Sequence, residues 1–200
     1  MFTSEIFTKF EFNNFITRKI AHIFCGILTA LLPYFLSFNG IIIVAITLTA
    51  FVGISKYIRI FDGVEGRYEV SWGTFAFPLG FGLAAFIFRN ENEVIFTGAA
   101  LILGFADSLG ALFGKYLGKK KLPNSSKTYL GTLVFAIVMF LICFGVYYFQ
   151  VAYFEGINLV RILILLVGSL IVAAIEAISK YGSDNLLIPS VAGFVIFLVV

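Results

Sequence analysis

The side chains of this chain best suited to chemistry are carboxylates, lysines and a single histidine set among apolar residues. Asp107 is the clearest of them. It lies in Gly104-Phe105-Ala106-Asp107-Ser108-Leu109-Gly110-Ala111, about eight residues and ~12 Å of helical rise from Lys115. A charged side chain inside an apolar span costs several kcal/mol by most scales, so each one needs a reason to be there. Gly104, Asp107, Ala111, Gly114 and Gly118 step by three and four, which on a helix makes one stripe of small residues around a carboxylate. Small residues at that spacing serve close helix packing, and they also let backbone approach a nucleotide. Packing asks for no acid, whereas a bound cation does, and Asp is a hard oxygen ligand suited to Mg²⁺ carrying phosphates. No Walker A sequence is present, and Gly114-Lys115 and Gly118-Lys119 are only loose hints of phosphate contact.

Three further clusters accompany it. Arg18, Lys19 and His22 share one helical face, with Gly26 one turn beyond. The two cations suit an anchor at a membrane surface; His22 suits either packing or proton transfer, because imidazole titrates near neutrality. Lys119, Lys120, Lys121, Ser125, Ser126, Lys127 and Thr128 form the most basic stretch, fit to set topology, to touch anionic lipid or to hold a phosphate chain. Glu176 and Lys180 stand four apart, the spacing of an intrahelical ion pair, and are followed by Asp184, Asn185 and Pro189. Asp184 reads as a helix N-cap or as a second ligand for a cation.

The elements that must position these groups are membrane helices. Hydrophobic residues make up 60% of the chain and charged residues 12%, whereas a soluble domain carries about 25% charged residues. A water-soluble core is thereby excluded, and no polar block is long enough to fold separately, so 1–200 reads as one all-α integral membrane domain. The apolar runs predict about seven transmembrane helices, near 18–37, 39–57, 72–89, 93–115, 129–152, 158–181 and 185–200. The last is short for a hydrocarbon core of about 30 Å. Residues 1–14 have no apolar core ending in a small-residue cleavage site, so they are expected to be an interfacial lead-in and not a signal peptide. The stretch 57–71 is expected to be a solvated loop. Cys25 and Cys143 both fall inside apolar runs, which argues against a disulfide or a cysteine metal site.

With these spans the basic residues divide. Lys9, Arg18, Lys19, Lys56, Arg59, Arg67, Lys115, Lys119, Lys120, Lys121, Lys127 and Lys180 fall on one side; Arg89 and Arg161 fall on the other. The positive-inside rule makes the first side cytoplasmic, with the N-terminus there and the C-terminus outside. His22, Asp107, Lys127, Glu176, Asp184 and Asn185 all come to that same side, as they would at one site where a cytosolic phosphate-bearing ligand meets a lipid. A transporter would instead carry polar residues across the midplane.

Taken in order, Arg18-Lys19-x-x-His22-x-x-x-Gly26, the Asp107 segment with Gly114 and Gly118-Lys119, Leu122-Pro123, Lys127-Thr128 leading to Gly131-Thr132, and Glu176 followed by Asp184-Asn185 and Pro189 resemble the CTP-dependent lipid kinases. That family includes dolichol kinase, phytol kinase and the CTP-dependent diacylglycerol kinase, and is distantly akin to phosphatidate cytidylyltransferases. The chain departs from the family pattern at Leu130, where a glutamate is usual. The resemblance implies transfer of the γ-phosphoryl group of CTP to the hydroxyl of a membrane lipid alcohol, with Mg²⁺. It implies catalytic roles for His22, Asp107 and Glu176, metal ligation by Asp107 and Asp184, and nucleotide binding by Arg18, Lys19, Gly114, Lys119, Lys127, Thr128 and Asn185. The expected partners are the bilayer, the lipid substrate and the nucleotide, with no nucleic acid. A cytidylyltransferase making a CDP-lipid and a non-enzymatic lipid-binding or transport protein are the alternatives.

Overall fold

The computed structural model describes residues 14–57, 72–123 and 125–200. All but Asn14 of the expected lead-in over 1–14, and most of the expected loop over 57–71, lie outside these described residues. Helices occupy every one of the apolar runs. The first is α1 (Asn14–Leu31), closed by a 3₁₀ turn at Leu32–Tyr34, and α2 (Phe38–Tyr57) and α3 (Gly73–Ile87) follow. Next, α4 (Glu93–Leu101) runs through a π-helical turn at Ile102–Ala106 into α5 (Asp107–Leu117). α6 (Tyr129–Tyr147) is extended by a second π segment to Glu155, and α7 (Leu159–Ile178) and α8 (Asp184–Phe197) complete the bundle.

Polar caps mark the helix starts. Asn92 accepts from the Val94 amide at 3.0 Å, Thr128 from the Gly131 amide at 3.1 Å, and Asn158 from the Val160 amide at 2.9 Å. Each satisfies a donor that the first helical turn leaves open.

Five of these helical stretches are long and apolar enough to cross a membrane: Phe15–Tyr34, Phe38–Ser55, Glu93–Leu117, Tyr129–Glu155 and Leu159–Ile178. α3 and α8 are apolar but shorter, at 15 and 14 residues, or about 21–22 Å of rise against a hydrocarbon core of about 30 Å. Each carries a proline at its sixth position, Pro78 and Pro189, where the missing amide weakens the ladder.

The pattern of burial is that of a bundle made for lipid. Large side chains such as Phe35, Phe149, Leu163 and Leu170 point outward, while Ala84, Ala85, Ala99, Ala100 and Gly98 lie inside. Without a hydrophobic force between helices in lipid, close approach of small residues is what holds them. The stretch Glu93–Leu117 is the most buried of the five and packs against α1, α6 and α8. α2 leans on α3, and α3 on α8. α1 rests on α4, the π turn and α5, and among the described residues it is hardly in contact with α2 or α3.

Candidate functional site

The site begins with two glycines. A Cβ on Gly26 would come within 2.7 Å of the Gly104 Cα, so α1 and the π turn touch backbone to backbone. That approach brings the Lys19 and His22 turns of α1 onto Asp107, the first residue of α5. Lys19 Nζ donates to Asp107 Oδ2 at 2.6 Å. The Ser108 hydroxyl, fully buried, donates to the Lys19 carbonyl and fixes the same crossing. His22 Nε2 lies 3.4 Å from the same Asp107 oxygen but is buried with no hydrogen-bond partner of good geometry. Its ring stands edge-on to Phe77 of α3, with centroids 4.7 Å apart. A buried polar atom without a partner is uncommon enough to call for a role.

The π turn also corrects the expectation of one stripe of small residues. Gly104 faces Gly26 on α1, whereas Gly110 and Gly114 face Gly131 and Thr128 at the start of α6. The extra residue of the π turn rotates the helix, so the stripe is shared between two neighbours.

On the other side of Asp107, the end of α7 and the start of α8 meet the basic loop. α7 stops at Ile178, and the chain turns through Tyr181 and Gly182, both at positive φ, 58° and 88°. A Cβ on Gly182 would run into the Gly73 backbone, so only glycine fits this turn against the start of α3. The loop is tied across its neck by backbone pairing of Lys121 with Thr128, and the Ser125 hydroxyl donates to the Ala177 carbonyl. Lys127 Nζ thereby reaches Glu176 Oε1 at 2.7 Å and Asp184 Oδ2 at 3.2 Å, and also donates to the Glu176 carbonyl. This replaces the expected Glu176–Lys180 pairing. Lys180 lies beyond the last turn of α7, and the Glu176 carboxylate is turned inward, 8% exposed, toward Lys127.

Burial opposes the charge on Lys127, but the carboxylates of Glu176 and Asp184 outweigh it and hold the ammonium above its ordinary value of 10.5. Asn185, buried, donates from Nδ2 to the Gly73 carbonyl at 3.0 Å and so joins α8 to α3. Gly80 permits the crossing, since a Cβ there would strike the Asn185 carbonyl.

One carboxylate oxygen from each of Asp107, Glu176 and Asp184 lies within 4.8 Å of the others. At that spacing each pair of anions repels by about 3–4 kcal/mol at an effective dielectric of 20. Lys19 and Lys127 offset this, and three carboxylates against two ammonium groups still leave the cluster one negative charge in excess. The donor set, three hard oxygens, fits Mg²⁺ or a like cation.

A cavity of about 420 Å³ opens beside the cluster. It is lined by Arg18, Lys19, Ala21, His22 and Cys25 of α1, by Gly73, Thr74 and Phe77, and by Asp107, Gly182, Asp184 and Asn185. Six residues expected from sequence therefore line it: Arg18, Lys19, His22, Asp107, Asp184 and Asn185. Glu176 and Lys127 stand behind it, linked through Asp184. Three expected residues are elsewhere. Gly114 packs on Gly131, and Thr128 caps α6 while donating to the Gly114 carbonyl at 3.3 Å. Lys119 is exposed on the loop. Gly73, Thr74, Phe77, Ser108 and Gly182 were not expected; only Ser108 carries a signal in its position beside Asp107. Cys25 and Cys143 are free, the first exposed and the second buried. No family model, no curated protein and no solved structure matches this chain.

Proposed function

We propose that the protein is a CTP-dependent lipid kinase of the bilayer, with seven spans, the N-terminus and the carboxylate cluster on the cytoplasmic face. The observation that carries this reading is the convergence of Asp107, Glu176 and Asp184 with Lys19, Lys127 and His22 beside a cavity that also takes in Arg18, Thr74 and Asn185 and has an apolar side of Ala21, Cys25 and Phe77. The order of these residues along the chain, resembling that of the CTP-dependent lipid kinases, supports the choice of nucleotide. The gathering of lysines at the same end supports the sidedness.

Phosphoryl transfer demands positioning and neutralisation of charge more than covalent help from the protein. Arg18, Lys19 and Lys127 supply positive charge for a triphosphate, and Asn185 braces the wall of the cavity through Gly73. Asp107 and Asp184, with Glu176 beside them, would hold Mg²⁺, which when bound neutralises phosphate oxygens. His22 Nε2, buried and without a partner, accepts the proton of the lipid hydroxyl as its oxygen bonds to the γ-phosphorus and CDP leaves. Thr128 and Gly114 act in this reading as the packing that holds α5 on α6, and the nucleotide roles expected of them pass to the cavity residues.

The test is to incubate the purified protein with γ-labelled CTP, Mg²⁺ and a panel of polyprenol, phytol and diacylglycerol, beside Asp107→Asn. Label is expected in one lipid, with a loss of about a hundredfold or more in the variant, as for removal of a group that stabilises developing charge. Label released as pyrophosphate would assign a cytidylyltransferase instead. Label in neither product sinks both.

A further inference from the structure

Among the described residues, the side of α1 that faces α3 is sparsely packed. α1 is held to the bundle by α4, the π turn and α5, where the Thr97 hydroxyl bonds the Ala30 carbonyl and Gly26 meets Gly104. Toward α3, the edge of the His22 ring meets Phe77. Arg18, Ala21, His22 and Cys25 follow one another by three and four, so they form a single face of α1 along this gap. The face changes character with depth. Arg18 and His22 give it a polar head, while Ala21, Cys25 and the facing Phe77 carry no charge. Ala21 and Cys25 are exposed although they line the cavity, so the cavity opens sideways as well as toward the charged end. Cys25 stands seven residues past Arg18, about 10 Å deeper by helical rise, level with helix surfaces that face lipid.

We propose that the gap between α1 and α3 is a lateral portal through which a long-chain alcohol enters from the bilayer, its hydroxyl at His22 and Asp107 and its chain along Ala21, Cys25 and Phe77. A cavity of about 420 Å³ is at the small end of ligand pockets and cannot enclose a whole membrane lipid. A substrate that reacts at the polar head must therefore leave its chain outside, and this gap is where apolar wall and polar head are continuous. The groove between α7 and α8, lined by Leu163, Val167, Phe194 and Leu198, is also apolar but brings no reactive group to a bound lipid. The choice of an alcohol as headgroup rests on the kinase reading; the path of the chain does not.

The experiment uses hexadecanol bearing a diazirine midway along its chain, added to the full-length protein in lipid nanodiscs without nucleotide, then irradiated and mapped by peptide mass spectrometry. Adducts are expected on Ala21–Leu28 of α1 and Gly73–Phe81 of α3. Cys25→Trp is expected to lower them about tenfold, as overpacking a fitted slot does, while Cys25→Ser and Leu163→Trp leave them unchanged. Adducts spread evenly over the exposed faces, or concentrated on α7 and α8, overturn the portal, and so does indifference to Cys25→Trp in a variant that keeps the helical circular dichroism of the wild type. If Cys25→Trp does not fold, the wild-type map decides alone. Because the cross-linking needs no CTP, adducts in the gap together with no label transfer in the separate γ-labelled CTP assay retire the kinase and leave the portal standing. Transfer with adducts elsewhere does the reverse.

Discussion

Lys127 joins segments far apart in the chain, with Nζ shared between Glu176 at the end of α7 and Asp184 at the start of α8. Its side chain is 24% exposed and that of Glu176 10%. Removing the cation leaves a nearly buried carboxylate with no counter-charge, so Lys127→Met is expected to destabilise the bundle by about 3 kcal/mol, measured by thermal unfolding in detergent. The same lysine predicts a pH dependence. Its folded-state pKa is raised above 10.5, so its contribution is fully present below 10.5 and is lost as pH climbs through the higher folded value. Melting temperature is expected to be flat in this respect through neutrality and to fall in the alkaline range. In Lys127→Met that part of the fall is absent; an identical alkaline limb in both proteins would dismiss the linkage. The lysine itself was legible in sequence as a basic residue near the site. Its partners were not, because four-residue spacing pointed Glu176 at Lys180, and only the end of α7 at Ile178 takes Lys180 out of reach.

The π turn at Ile102–Ala106 works at the scale of the element. It lets one continuous stretch present Gly104 and Asp107 to α1 and then Gly110 and Gly114 to α6. Gly26 is the point of closest approach, so Gly26→Leu must part α1 from Gly104 and with it Lys19 and His22 from Asp107. The expected cost is about 1–3 kcal/mol of stability, and phosphoryl transfer is expected to fall further than the folded fraction does. Gly145 gives the contrast: nothing lies within 4 Å of a Cβ built there. Gly145→Ala is expected to leave transfer unchanged and to gain up to about 1 kcal/mol from helix propensity. Equal behaviour of the two variants in a melt and a transfer assay would mean that the Gly26 contact does not position the site. The Gly26 motif was visible in sequence; the π turn was not, since the apolar run through Ile102, Leu103, Phe105 and Ala106 reads as an unbroken helix.

Across the whole molecule, the five long apolar helices and the outward-facing phenylalanines and leucines describe a bundle for lipid, and the proposed sidedness follows from where its lysines lie. Lys120 stands on the loop between α5 and α6, and Glu155 at the far end of the α6 stretch, paired with Arg161 at 3.3 Å. With Cys25 replaced by serine, a membrane-impermeant maleimide is expected to label Glu155→Cys in intact cells and Lys120→Cys only in inside-out vesicles. Labelling of both from one side would refute the crossing by α6, and the reverse pattern would refute the cytoplasmic site.

Membrane character and the approximate place of the described apolar helices were determined by the sequence alone, because burying charge in lipid is costly and apolar length is a local property that a run of residues carries by itself. The clustering of polar residues toward one end was determined in the same way, by counting along those runs. Tertiary structure decided the rest: that Glu176 meets Lys127, that Thr128 and Gly114 are packing and not lining, and that α1 stands away from α3. Each of these depends on where a helix stops, on a one-residue π insertion, or on contacts between segments 49 to 88 residues apart. Such contacts are set by the backbone approach of glycine pairs, and spacing within a single helix carries no record of which helix will lie across from it.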